Sequence, residues 1–481
     1  MSCISPVLPG VIVAALSITL LARLFKQDSK PFPGPIGLPF FGVAFQIPDD
    51  KQWLKFHDWT CRYGDVVGVT VMGQPTLVLG SFRAANDLLD ARGAIYSDRP
   101  DAVMAGELVG WNRGLGYAHG PEQARFREFR RLFQHAIGPR ACADPAGAVV
   151  AMQYAETRRL LLRFARDPRG FFRHARESTG ALILRLAYGY VVARDQAEDP
   201  LVHVVEVAMQ GFAGASEPGA FLVDYFPALR RVPEWLLRIP RGERNFKAVA
   251  RRMRQELDEM YDLPFAFVKG QMTPSSINAF ILAITLNPHI QTRAQAELDA
   301  LLGAPPTRLP TLEDRPALPY VSAIVLEVLR WNPAVPLGLA HRLTRDDVYR
   351  GRPIKAGTVV WANIWSMLQD PAVFPEPHAF RPERFLDASG RLRELERHED
   401  PSVVGFGFGR RDAFAMNSVF LGIASLLYTF EIKKRKDERG VEVVPEVDFR
   451  GFISHPIPFE CDIKPRSEGA ASMINRLAAQ V

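Results

Sequence analysis

Glu327-Val328-Leu329-Arg330, then Phe380-Arg381-Pro382-Glu383-Arg384-Phe385, then Phe406-Gly407-Phe408-Gly409-Arg410-Arg411, follow one another in the C-terminal third of a 481-residue chain. Glu327 and Arg330 sit late in a window, Val321 to Trp331, whose apolar residues recur at helical spacing, so carboxylate and guanidinium share one helix face. Alone, such a pair is common on solvated helices. Downstream, Arg384 falls in an irregular, proline-bounded loop, and Gly407 and Gly409 permit a tight backbone path beside something flat. Further helical patterns cover Ala151 to Phe164, Glu177 to Tyr188, Lys247 to Tyr261 and Ile290 to Leu302. Strand-like runs are short: Val66 to Val71, Thr76 to Leu79 and Thr358 to Ala362. The expected fold is mainly α with a small β-sheet region.

Composition narrows the classes. With 47% hydrophobic and 23% charged residues, the chain is neither disordered, collagen-like nor a multi-span membrane protein. Cys3, Cys61, Cys142 and Cys461 are too few and too scattered for a disulfide scaffold, and no C-x-x-C pair offers a zinc site. The net charge of +6 is not gathered into a tail, so no nucleic-acid partner is expected. A hydrolase finds no support, because G-x-S-x-G, H-E-x-x-H and P-loop motifs are missing.

Met1 to Ala22 carries no charged side chain and is followed by Arg23, Lys26 and Lys30. Residues 1–25 are therefore expected to form an N-terminal membrane anchor with a cytosolic body, the alternatives being a cleaved signal peptide or an interfacial segment. Residues 26–42 form a Pro/Gly-rich hinge. Its Pro31-to-Pro39 core can be neither helix nor central strand and reads as a stiff spacer or an ordinary linker. Residues 43–481 show no repeat or internal linker and read as one domain.

In order and spacing, the three opening motifs resemble the cytochrome P450 family, the haem-thiolate monooxygenases, and the N-terminal region resembles its microsomal fungal members. Ala118 to Phe133, Tyr96-Ser97-Asp98-Arg99-Pro100 and the stretch from His341 to Gly351 carry the likeness further. The resemblance implies haem b, an apolar small-molecule substrate from fungal secondary metabolism, an NADPH-cytochrome P450 reductase, and single-pass residence in the endoplasmic reticulum membrane with the body facing the cytosol. It implies a buried structural network of Glu327, Arg330 and Arg384, and haem contacts from Arg130, His341, Arg411, Phe406 and Gly409. Surface ion pairs are the alternative for Arg130, His341 and Arg411.

Two departures stand against this pattern. The family's axial cysteine follows the second arginine of the glycine loop, where its thiolate ligates iron. Here Arg411 runs directly into Asp412-Ala413-Phe414-Ala415, as though a turn of about four residues had been removed, so no metal ligand and no catalytic residue is assigned. The oxygen-activating turn of the family's central helix is also missing between Met272 and Ser276. One reading is a monooxygenase whose deduced chain has lost coding segments. The other is a non-catalytic, degenerate member of the family with little or no haem.

Overall fold

The structure is a computed structural model describing residues 32–480, except 40, 115, 116, 118–122, 189–199, 218, 234–244, 263–271 and 408–412. Helices α1 (Gln52–Tyr63), α2 (Gln123–Ile137), α3 (Ala148–Arg166), α4 (Phe171–Tyr188), α5 (Pro200–Ser216) and α6 (Phe246–Asp262) make up the N-terminal half. Then come α7 (Met272–Leu286), α8 (Pro288–Leu302), α9 (Pro319–Trp331), α10 (Ala413–Thr429) and α11 (Glu468–Gln480). Every helix foreseen from apolar spacing forms. Each begins earlier than the spacing shows, and α8 and α9 do so on Pro288 and Pro319. At the first helical position proline's missing amide costs nothing, because that group has no intrahelical acceptor.

Strands β1 (Val66–Val71) and β2 (Gln74–Leu79) form a hairpin in register Val66↔Leu79 to Val71↔Gln74. Its two-residue turn places Met72 at φ 47 and Gly73 at φ 82, the left-handed pair that matches strand twist. Of the later strands, β3 (His341–Arg342), β4 (Asp347–Tyr349), β5 (Arg352–Ile354) and β6 (Val359–Ala362), two complete the main sheet in the order β1-β2-β6-β3. Strand β6 runs parallel to β2 and antiparallel to β3. The chain closes with β7 (Phe430–Lys434), β8 (Phe449–Arg450), β9 (His455–Pro456) and β10 (Cys461–Pro465), in which β7 pairs with β10 and β8 with β9. The mainly α architecture with small sheets is thus as expected.

The largest apolar cluster joins α3, α7, α8, α9 and α10 through residues such as Leu161, Phe280, Leu298, Val325 and Phe420. At its centre Gly422 of α10 lets Ile277 of α7 approach closely: a Cβ there would lie 2.8 Å from the Ile277 Cδ1. A second cluster packs the main sheet against Leu88, Tyr96, Phe374 and Phe385.

The described part of the hinge is docked onto the sheet. Phe32 is 3% exposed, Gly68 N donates to Pro33 O at 3.0 Å, and Gly42 bridges Val71. Proline lacks a donor but keeps its carbonyl, so this segment binds a strand edge through acceptors. The expected anchor, residues 1–25, lies outside the described residues. The single-pass placement in the endoplasmic reticulum membrane is corrected here: among the described residues no helix is long and apolar enough to cross a bilayer.

Candidate functional site

Helix α9 places Glu327 and Arg330 one above the other, and both side chains are fully buried. Arg330 holds the carboxylate with both faces of its fork: Nε donates to Oε2 at 2.7 Å and Nη2 to Oε1 at 2.9 Å. Its remaining donors reach Leu368 O at 3.0 Å and Ala379 O at 3.3 Å, and its Cζ lies 5.6 Å from the Phe374 ring centre. Arg384 approaches Glu327 Oε2 to 3.2 Å and donates to the carbonyls of Pro375, Glu376 and Ala379. Burial lowers the pKa of its guanidinium, and the charge of Glu327 pulls the other way. A further donor, which sequence reasoning missed, is the Arg381 backbone amide, 2.7 Å from Glu327 Oε1. A main-chain donor is available from any residue type, so nothing in the sequence marks it. Two cations, one carboxylate and four carbonyls hold the 368–384 loop against α9.

A second brace joins the segments 96–101 and 339–347. Arg342 donates to Asp98 Oδ2 through Nε at 3.0 Å and Nη2 at 2.8 Å, and Nη1 reaches Asp101 at 2.7 Å. Arg99 donates to Leu339 O and Ala340 O, and Tyr96 Oη donates to Asp347 Oδ2 at 2.9 Å. The His341 Nδ1 lies 2.7 Å from Tyr96 O.

This brace forms one wall of an open cavity of about 1160 Å³. Phe45, Phe56, Leu222, Trp361 and Phe452 supply its apolar lining. Asp224 enters the same wall, where its carboxylate accepts from Met104 N at 2.8 Å; burial pushes its pKa up to about 6, and backbone amides of Met104 and Val103 oppose the rise. Sequence reasoning missed Asp224, since a single acid in a turn carries no pattern. Met104, Ala105, Val109 and Trp111 are buried among Val205, Ala208 and Leu257 in an apolar cluster.

Of the residues expected around a haem, three are described, each on a different element. Arg130 is exposed on α2, His341 is half-buried against Tyr96, and Phe406 is half-buried at the end of the short helix Pro401–Gly405. Gly409 and Arg411 lie outside the described residues. Just beyond them, α10 rests on the segment after α2: Gln153 Nε2 donates to Phe414 O at 2.8 Å and Asn417 Nδ2 to Cys142 O at 2.9 Å.

A helical body, a small sheet at one side, a buried Glu-Arg-Arg brace and a large cavity define the architecture of the haem monooxygenases. The family model described as "Cytochrome P450" matches residues 32–161 and 266–461. Cytochrome P450 monooxygenase 208 of Postia placenta is 38% identical over 97% of this chain and 96% of its own length. Cytochrome P450 monooxygenase claR of Ampulloclitocybe clavipes is 37% identical over 96% and 92%, and a cytochrome P450 monooxygenase of Armillaria gallica is 35% identical over 97% and 98%. The chain belongs to the cytochrome P450 family. With 97% of 481 residues aligned, about 467, roughly 45 of the 512 positions shared with the first of these relatives face a gap in this chain.

Membership implies haem b as the cofactor, and the described residues do not fit a thiolate-bound form of it. Cys61 is exposed on α1. Cys142 is buried and its Sγ donates to Ile137 O at 3.3 Å. Cys461 is buried in β10, where desolvation pushes its thiol up to about 12, so it stays protonated. Cys3 lies outside the described residues. The donor chemistry for the iron is missing from the described part of this chain, and no step of catalysis is derived through the group.

Proposed function

We propose that this architecture serves the monooxygenation of an apolar small molecule of fungal secondary metabolism, with electrons drawn from an NADPH-cytochrome P450 reductase. The observations that carry this reading are the buried Glu327–Arg330–Arg384 brace and, separately, a cavity of about 1160 Å³ with Phe45, Phe56, Trp361 and Phe452 in its lining. A cavity of this size suits a small organic substrate. A second reading, a non-catalytic member of the family, is favoured by one observation: none of the three described cysteines offers a thiolate to iron.

One spectrum separates the two. The 481-residue chain, expressed with haem supplied, is reduced and exposed to carbon monoxide; the same is done after inserting a cysteine-bearing turn of about four residues between Arg411 and Asp412. The expected outcome is a thiolate-type Soret band only in the repaired chain, which then supports substrate screening by binding-induced spectral shifts. A thiolate band from the unrepaired chain removes the non-catalytic reading. No band from either chain removes the monooxygenase reading for this sequence.

A further inference from the structure

Helices α3, α10 and α11 meet the 307–311 segment around a second cavity, of about 380 Å³. The charge around it is one-sided. Arg158, Arg308 and Arg476 line it, and no carboxylate does. Arg308 is neutralised from outside by Asp314, through two bonds of 2.7 Å. Arg158 and Arg476 have no carboxylate partner among the described residues. Met473 and Leu477 give the cavity an apolar side. Ser425 of α10 lines its inner end, fully buried, and its hydroxyl has no protein partner.

Each of these features costs stability in an empty protein. A buried hydroxyl without a partner loses about 1–3 kcal/mol of solvation, and two guanidiniums facing one cavity repel each other. A single kind of molecule answers all three: an anionic head between the arginines, an apolar stem along Met473 and Leu477, and a polar group at the buried end. Liquid water occupies roughly 30 Å³ per molecule, so the space equals about a dozen waters and suits a stem of medium length. We propose that this cavity is a binding site for a small amphiphilic anion, a carboxylate on a short apolar chain. By bridging α3 and α11 such a ligand fastens the C-terminal helix to the body.

The probe is octanoate, titrated calorimetrically into the full-length chain, with octanol as the uncharged analogue and 8-hydroxyoctanoate as the analogue with a polar far end. Octanoate is expected to bind and octanol to bind much more weakly. The double variant Arg158→Gln/Arg476→Gln changes two partly or fully exposed side chains that hold no other element in place, and it is expected to weaken octanoate roughly tenfold or more through loss of charge-assisted bonds. Ser425→Ala is expected to level the affinities of octanoate and 8-hydroxyoctanoate. Circular dichroism of each variant confirms that the fold survives. Octanoate binding unchanged in the double variant assigns the ligand to another cavity and overturns the proposal; equal affinity for octanol and octanoate overturns it too. A preference for the hydroxylated chain that persists in Ser425→Ala overturns the role given to the buried end.

Discussion

Glu327 is the residue on which most of the braced loop depends, because it is the one carboxylate set against two buried guanidiniums. Its Oε1 alone accepts from Arg330, Arg384 and the Arg381 amide. Glu327→Gln keeps the shape and removes the charge, leaving two cations uncompensated in a dry site, so a loss of about 3–5 kcal/mol is expected in urea denaturation. Arg381→Gln is the matched control. Its side chain pairs with Glu376 at the surface, where such pairs contribute about 0–1 kcal/mol, and its backbone donor to Glu327 survives the change. Equal losses in the two variants would show that buried charge is not what holds the loop. The i, i+3 spacing put Glu327 and Arg330 on one helix face, and their burial was legible only through the family resemblance, since such pairs are common on solvated helices. The carbonyl and amide partners were not legible, since main-chain groups carry no letter. Cysteine chemistry belongs to this scale as well: of the three described thiols, only Cys61 is expected to react quickly with an aromatic disulfide at pH 8. Cys142 and Cys461 are buried, and the raised pKa of Cys461 leaves almost no thiolate at that pH. Mass spectrometry of the labelled native chain reads this directly.

Among the elements, β1 shows how a polar face is satisfied by a segment that has no regular structure of its own. The Pro-rich stretch docks along it by lending carbonyls, and Gly34 passes so close to the strand that a Cβ would press into the carbonyl oxygen of Gly68. Backbone cannot yield as a flexible side chain can. Gly34→Ala should therefore cost about 1–3 kcal/mol and open residues 32–42 to limited proteolysis. Gly405→Ala, where nothing lies within 4 Å and no left-handed backbone is required, should leave both unchanged. Rapid cleavage in both variants, or in neither, would remove close packing as the reason for the glycine. Sequence periodicity found the strands β1, β2 and β6 and the interiors of five helices, α3, α4, α6, α8 and α9, because these follow from which side of an element meets the core. It did not show that the proline stretch packs against the sheet, because proline marks only what a segment cannot form. Nor did it find the 380 Å³ cavity, whose arginines come from separate elements and meet only in the fold.

Across the whole molecule, two half-buried groups make stability depend on pH in opposite directions. Asp224, in the wall of the large cavity, has its folded pKa raised to about 6 from an ordinary 3.8 by burial. Its ionised form is penalised in the folded state, so the penalty is complete above pH 6 and vanishes as the pH falls below 3.8. His455, in β9, has its folded pKa lowered to about 4 from 6.5, by burial first and then by the nearby Arg176. The unfolded chain takes up that proton at 6.5 and the folded chain only near 4, so stability is lost as the pH falls through this window. Each shift spans about two pH units and corresponds to roughly 3 kcal/mol at most, at 1.36 kcal/mol per unit. Asp224→Asn can still accept from the Met104 amide. Relative to the parent, its stability should be higher by about 2 kcal/mol at pH 7, with the difference shrinking toward pH 4.5. His455→Gln should behave in the reverse sense, its difference from the parent moving in the variant's favour by about 2 kcal/mol between pH 7 and 4.5. Whatever constant cost each substitution carries cancels from the slope, so urea midpoints of parent and variant at the two pH values are sufficient. Slopes of the same sign in both variants would mean that at least one of these groups is solvated in the folded chain, and the wall or the hairpin it belongs to would then have to be open to water.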